Sequence, residues 1–170
     1  MTNEIIAVLA NLALTFSLIV AVVFGIAQVK AAARDRKERL TLDTLRNFQT
    51  REFAELIQYI ISHDMPTNRK RLQALPIQEQ VIFIQFGQQM ESLGLLVAEK
   101  LINIDLVDKT LGSFVTTSWE KYKKMFMDMR VNQPDPFLGE YFQWLAETID
   151  KRMKENPRKP FYQMNQPSDN

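Results

Sequence analysis

From Ile5 to Val29 the chain carries no Asp, Glu, Lys, Arg or His. Alanine, valine, leucine, isoleucine and phenylalanine fill most of this run. A basic cluster follows at once: Lys30, Arg34, Arg36, Lys37 and Arg39. A helix needs roughly 20 apolar residues to cross a hydrocarbon core of about 30 Å. The run is long enough, with slack for tilt. It predicts a single transmembrane helix, and it obliges the rest of the chain to fold as a body of its own.

A cleaved signal peptide is the competing reading. Such peptides open on a positive segment and have an apolar core of about 7–15 residues. Here Met1-Thr2-Asn3-Glu4 carries an acid and no basic side chain, and the apolar run is longer. Ala31-Ala32-Ala33 resembles a small-residue cleavage site, but Lys30 stands just before it. The anchor fits better. Lysine and arginine beside a span stay on the cytoplasmic side. The expected topology is therefore single-pass in a cell inner membrane, with the N-terminus outside and the C-terminal domain cytoplasmic. The lipid bilayer is the first expected partner. The basic cluster also suits anionic headgroups, although topology alone accounts for it.

The span has a face. Ala7, Ala10, Ala13, Ser17, Ala21 and Gly25 follow spacings of three or four, with Asn11 and Thr15 along one edge. Small residues let two helices approach closely, and a polar amide can bond across the contact. A homo-oligomer through this helix is expected, or a partner span. The plainer reading is that alanine is common in spanning helices and Asn11 lies near the outer interface.

The sequence divides into an anchor (1–30), a basic juxtamembrane helix extension (31–40), a helical bundle domain (41–155) and an irregular Pro-rich tail (156–170). The bundle portion is long enough for one compact domain. Few glycines and apolar stripes at helical spacing give the fold class: all-α, a single N-terminal transmembrane helix followed by a cytoplasmic four-helix bundle-like domain. The spanning helix is expected to run on past Lys30, with Thr41 and Asp43 as capping oxygens if it breaks near Leu40. The next helix presents Leu42, Leu45, Phe48, Phe53, Leu56, Ile57, Ile60 and Ile61. It should end near His63 to Pro66. Arg69, Lys70 and Arg71 then read as a basic loop, solvated or making a second lipid contact. Pro76 suits the first turn of a helix running to about Lys100. Val81, Ile82, Phe83, Ile84 and Phe86 make that helix apolar on most sides, so burial at the centre is expected. Gly87 and Gly94 would permit close helix contact.

Asn103 or Asp105 opens the next helix, which runs to about Arg130. Leu106, Val107, Leu111, Phe114, Val115, Trp119, Tyr122, Phe126 and Met129 mark its inner face, and Lys121, Lys123 and Lys124 read as solvated. A turn over 131–136 leads to a last helix, about Leu138 to Lys154. Phe161-Tyr162 in the tail would dock back on the bundle or serve as a partner motif.

The block Glu91-Ser92-Leu93-Gly94-Leu95-Leu96-Val97, then Leu101 to Val107, with Trp119 and Phe142-Gln143-Trp144-Leu145 further on, resembles an uncharacterised bacterial family, a domain of unknown function. In that family an N-terminal span precedes a small helical domain. Its pattern is a glycine with aliphatic neighbours, a loop ending in Ile-Asp, a tryptophan in the next helix and a late Trp-Leu. This chain has Ile104-Asp105 at the Ile-Asp position and Asn103 where glycine is the rule. The resemblance covers most of residues 45 to 155. It implies a fold and a topology and brings no catalytic residues.

No chemistry stands out. His63 is the one histidine, placed at an expected helix end where a positive side chain suits the dipole. The pairs Glu52 with Glu55 and Asp105 with Asp108 read as surface carboxylates, since Glu-x-x-His motifs are missing. No phosphate-binding glycine loop or serine elbow occurs. With no cysteine there is no disulfide, thiolate metal site or cysteine nucleophile. Net charge +1 gives no preference for nucleic acid. The expectation is therefore no enzyme, no catalytic residue, no metal and no cofactor. It is an interaction or scaffold module on the cytoplasmic face of the membrane, with an unknown protein partner. The alternative is an oligomeric membrane-active effector, holin-like or of a defence type.

Overall fold

The computed structural model describes residues 2–132, 135–160 and 163. Six α-helices and no strand are found among them. They are α1 (Thr2–Arg46), α2 (Arg51–Ser62), α3 (Arg69–Gln73), α4 (Ile77–Ala98), α5 (Ile104–Asn132) and α6 (Glu140–Glu155). The chain forms two compact units, residues 1–40 and 41–170.

The first helix does not break near Leu40. It continues to Arg46, followed by a 3-10 turn over Asn47–Gln49. Nothing between Lys30 and Arg46 opposes helix, since most of these residues are strong helix formers. The break comes where a cap is available: the Thr50 hydroxyl accepts from the Phe53 N–H at 3.2 Å and starts α2. Thr41 is not a cap. It is fully buried, and its hydroxyl accepts from the Asn103 N–H at 3.0 Å. Leu42, expected inside, is exposed.

Arg69, Lys70 and Arg71 lie on a short helix rather than in a loop. The Asn68 side chain caps it, accepting from the Arg71 N–H at 2.9 Å. Pro76 stands one position before α4, at its cap. At the start of α5 the Asn103 side chain accepts from the Asp105 N–H at 2.8 Å, as a helix cap should. The left-handed residue of this connection is Lys100, at φ 58°, so Asn103 serves without a glycine's freedom.

The second unit is built round aromatic rings. Tyr122, Phe83, Phe86 and Phe142 are fully buried. Tyr122 stacks on Phe86 at 5.6 Å and on Phe126 at 5.8 Å between ring centroids. Phe142 meets Trp119 edge-on at 5.2 Å. Such pairs add about 0.5–1.5 kcal/mol each beyond area burial. Helix α6 packs on both α4 and α5, and α2 packs on α4. The central helix is less enclosed than expected. Phe83, Phe86, Met90, Leu93 and Val97 are buried, while Val81 and Ile84 are half exposed. Phe114 on α5 and Trp144 on α6 are also partly exposed.

The buried Tyr122 hydroxyl donates to the Phe83 carbonyl at 3.0 Å. Burial pushes its phenol up, and burial together with the Glu79 carboxylate pushes Tyr59 up to about 12. The unfolded phenols ionise near 10, before the folded ones. Stability from these groups is therefore fully present below pH 10 and is lost as pH rises through the folded values. Thermal melts between pH 9 and pH 11.5 should show the loss beginning near 10. The Tyr122→Phe variant should lose less over the same window than the wild type.

Candidate functional site

In the first unit, every apolar side chain of the Ile5 to Val29 run faces outward. Fifteen large ones are involved, from Ile5 at 57% exposed to Val29 at 70%. Fully burying one such side chain is worth about 1.5–3 kcal/mol, so the run leaves on the order of tens of kcal/mol unrealised in water. An exposed apolar surface of that extent marks a site of membrane or protein contact. Along it, Ala7, Ala10, Ala13, Ser17, Ala21 and Gly25 share one side of the helix, and all are exposed. The Thr15 hydroxyl donates to the Asn11 carbonyl at 2.8 Å, which satisfies Thr15 within the helix. The Asn11 side chain is exposed too.

The basic collar follows on the same helix. Arg34 donates to Glu38 at 2.8 Å, one turn on, with both side chains well exposed. Such an exposed pair contributes little, because water screens it and two long side chains must be held in one geometry. Lys30, Arg36 and Arg39 are exposed, and Lys37 is half-buried.

Among the described residues, two helices are long and apolar enough to cross a membrane: the N-terminal one and α4. They differ in what surrounds them. The N-terminal run has none of its apolar window buried, while α4 supplies much of the core of the second unit. The N-terminal helix is compatible with a membrane anchor or a signal sequence.

The second unit holds polar ties that the sequence reading missed. Glu91 on α4 accepts from the Tyr141 N–H at 3.2 Å and the Phe142 N–H at 2.8 Å. It thereby caps α6, whose own cap residue is Gly139 in the left-handed region at φ 71°, with no side chain to offer. Lys121, expected in solvent, donates from Nζ to the Ile60 and Ile61 carbonyls at 2.7 and 2.8 Å, closing the end of α2. Arg130 donates to the Leu138 carbonyl at 2.7 Å and to Gln143 at 2.6 Å. Each needs a partner far along the chain, which local spacing does not show.

Asp108 corrects a second expectation. It is buried, not on the surface, and lies 3.8 Å from Arg152 and 3.5 Å from Arg158. Asp105 stays exposed and pairs with Arg152. Arg158 belongs to the segment after α6, so residue 158 of the tail is tied to α5. Phe161 and Tyr162 lie outside the described residues. Glu52 is exposed, and Glu55 accepts from Arg51 at 2.7 Å. His63 stands at the end of α2, its Nδ1 3.0 Å from the Tyr59 carbonyl and its ring stacked on Tyr59 at 3.9 Å. Among the described residues no three His, Asp or Glu side chains are grouped to hold a metal ion.

An apolar cleft of about 250 Å³ opens between α3, α4, α5 and the turn before α6. Leu72, Phe83, Ile84, Met125, Met129 and Leu138 form its walls, with Gln88 and Glu91 as polar members.

These features define an all-helical protein with a long, exposed, apolar N-terminal helix and a packed helical unit after it. The sequence profile of the family described as Domain of unknown function (DUF4760) matches residues 15–149, and the chain belongs to that family. The match takes in the second half of the apolar run, the basic collar and the packed unit through most of α6. A search of curated proteins and a search of solved structures each return no match.

Proposed function

We propose that this chain is a single-pass membrane protein whose helical unit, with α2, α4, α5 and α6 as a four-helix bundle, serves as an interaction or scaffold module on the cytoplasmic face. The observation that carries this reading is the outward-facing apolar run with its basic collar. Burial of that run in a bilayer recovers the free energy it leaves unrealised in water. The collar orients it, because lysine and arginine beside a span are retained on the cytoplasmic side. The partners in this reading are the bilayer, a second copy of the span and a protein held by the bundle; no enzymatic activity, cofactor or nucleic acid is part of it.

Self-association draws on the small-residue side and on Asn11, which gains a hydrogen-bonding partner in a helix pair. Cross-linking in native membranes tests it. The wild type should give a dimer or larger band, and the Ala13→Leu, Ala21→Leu double variant should lose it. Only monomer, with a foreign protein linked to residues 41–155, would leave a simple tether. The same small-residue side motivates a second reading, an oligomeric membrane-active effector. Expression that leaves the membrane potential intact would remove it.

A further inference from the structure

The exposed face of α4 is unlike an ordinary solvated helix surface. Ile77, Gln78, Val81, Ile84, Gln85, Gln88, Ser92 and Leu95 are all exposed, and none is charged. Ile77, Val81 and Ile84 recur at helical spacing and are 62%, 51% and 48% exposed. A helix that meets only water normally carries its charges on that face. Here they lie next door. Helix α3 packs against α4 and carries Arg69, Lys70 and Arg71, all exposed. No Asp or Glu occurs from Met65 to Gln78. Two further bonds fix the connection between these helices: the Gln80 side chain donates to the Leu75 carbonyl at 2.8 Å and the Gln73 carbonyl at 3.3 Å. Leu72 of α3 and Ile84 of α4 line the same cleft, so the basic turn and the apolar stripe border one surface.

We infer that this surface, the α3 turn with the first half of α4, is a second membrane contact that rests on an anionic bilayer. An apolar strip with basic side chains at its edge is the composition that lies in the headgroup boundary of such a membrane. A second copy or a protein groove would satisfy the apolar strip alone. Arg69, Lys70 and Arg71 outnumber the one acid of the first half of α4, Glu79, and this excess of positive charge selects the anionic surface. The inference rests on the anchoring reading above, which keeps the unit close to lipid.

The chain has no cysteine, so single labels are unambiguous. The full-length protein, reconstituted in phosphatidylcholine vesicles with or without phosphatidylglycerol, is labelled with a fluorophore at Leu14→Cys, Val81→Cys or Thr117→Cys. Quenching by spin-labelled lipid is then read at each site. Leu14 reports the anchor, Val81 the proposed surface, and Thr117 a separate groove between α2 and α5. Strong quenching is expected at Leu14 in both vesicles. At Val81 it is expected only when phosphatidylglycerol is present, and at Thr117 in neither. Adding Lys70→Glu and Arg71→Glu should lower the docked-to-undocked ratio at Val81 on the order of tenfold. Tryptophan emission should stay unchanged, which verifies that the unit is folded. Quenching at Leu14 with none at Val81 overturns this inference and leaves the anchor standing. So does Val81 quenching that ignores both phosphatidylglycerol and the charge reversals. Loss of quenching at Leu14 itself removes the anchor and this inference with it.

Discussion

Gly94→Ala should destabilise the helical unit by about 2–3 kcal/mol, the upper part of the range for overpacking. A Cβ at Gly94 would stand 2.2 Å from the Tyr141 carbonyl oxygen and 2.5 Å from its carbon. These are backbone atoms and cannot rotate aside, so α6 would have to move. Its first turn is held to α4 by the two bonds from Tyr141 and Phe142 to Glu91. The alanine gains up to about 1 kcal/mol of helix propensity, and the clash exceeds it. Gly87 provides the control. There a Cβ would meet Phe126 and Tyr122 at 3.6 and 3.7 Å, ordinary contact distances. Gly87→Ala should therefore stabilise, by up to about 1 kcal/mol. Urea titration of the full chain in detergent, followed by tryptophan emission, separates the two. Both tryptophans, Trp119 and Trp144, lie in the second unit and report it alone. A Gly94→Ala protein as stable as the wild type would contradict this account of the α4–α6 seam.

The larger effect is expected in the anchor. Arginine at the centre of a spanning helix costs about 2.5–3.5 kcal/mol by insertion scales, so Leu14→Arg with Leu18→Arg should cost roughly 5–7 kcal/mol. Both side chains are fully outward, at 69% and 66% exposed, so neither substitution disturbs packing within the chain. The double variant should leave the membrane pellet after alkaline carbonate extraction, while the wild type stays. Its tryptophan emission should keep the wild-type position, since residues 41–170 form their own compact unit. If the variant remained in the pellet as firmly as the wild type, this run would not be what holds the chain there.

What was legible in the sequence was what short-range spacing encodes. The apolar run needs only a count of residues without charge. The bounds of α4, α5 and α6 follow from stripes such as Val107, Leu111, Val115 and Tyr122, and from caps such as Asn103. The end of α1 was misplaced because Thr41 looks like a cap, and whether its hydroxyl caps a helix or serves Asn103, 62 residues away, is a tertiary matter. Asp105 and Asp108 show the same limit. They sit three apart on one helix with identical chemistry and Arg152 reaches both, yet only Asp108 is buried and meets Arg158 of the tail as well. Gly94 and Glu91 stood within the block that carries the family resemblance. Their joint role, one yielding space to α6 and the other capping it, emerges only when α4 and α6 are seen packed together. The uncharged face of α4 misled in the opposite direction. Valine and isoleucine at 81 and 84 implied burial, and they stand in the open.

The most direct test of the central claim is cysteine accessibility in intact cells. Single variants Asn3→Cys and Thr117→Cys are exposed to a membrane-impermeant maleimide before and after lysis. Both proteins should sediment with membranes, Asn3→Cys should label in intact cells, and Thr117→Cys should label only once the cells are opened. Thr117→Cys labelled from outside would reverse the topology. A shortened Thr117→Cys protein in a soluble fraction would show that the apolar run is a removed signal, and the anchor would fall.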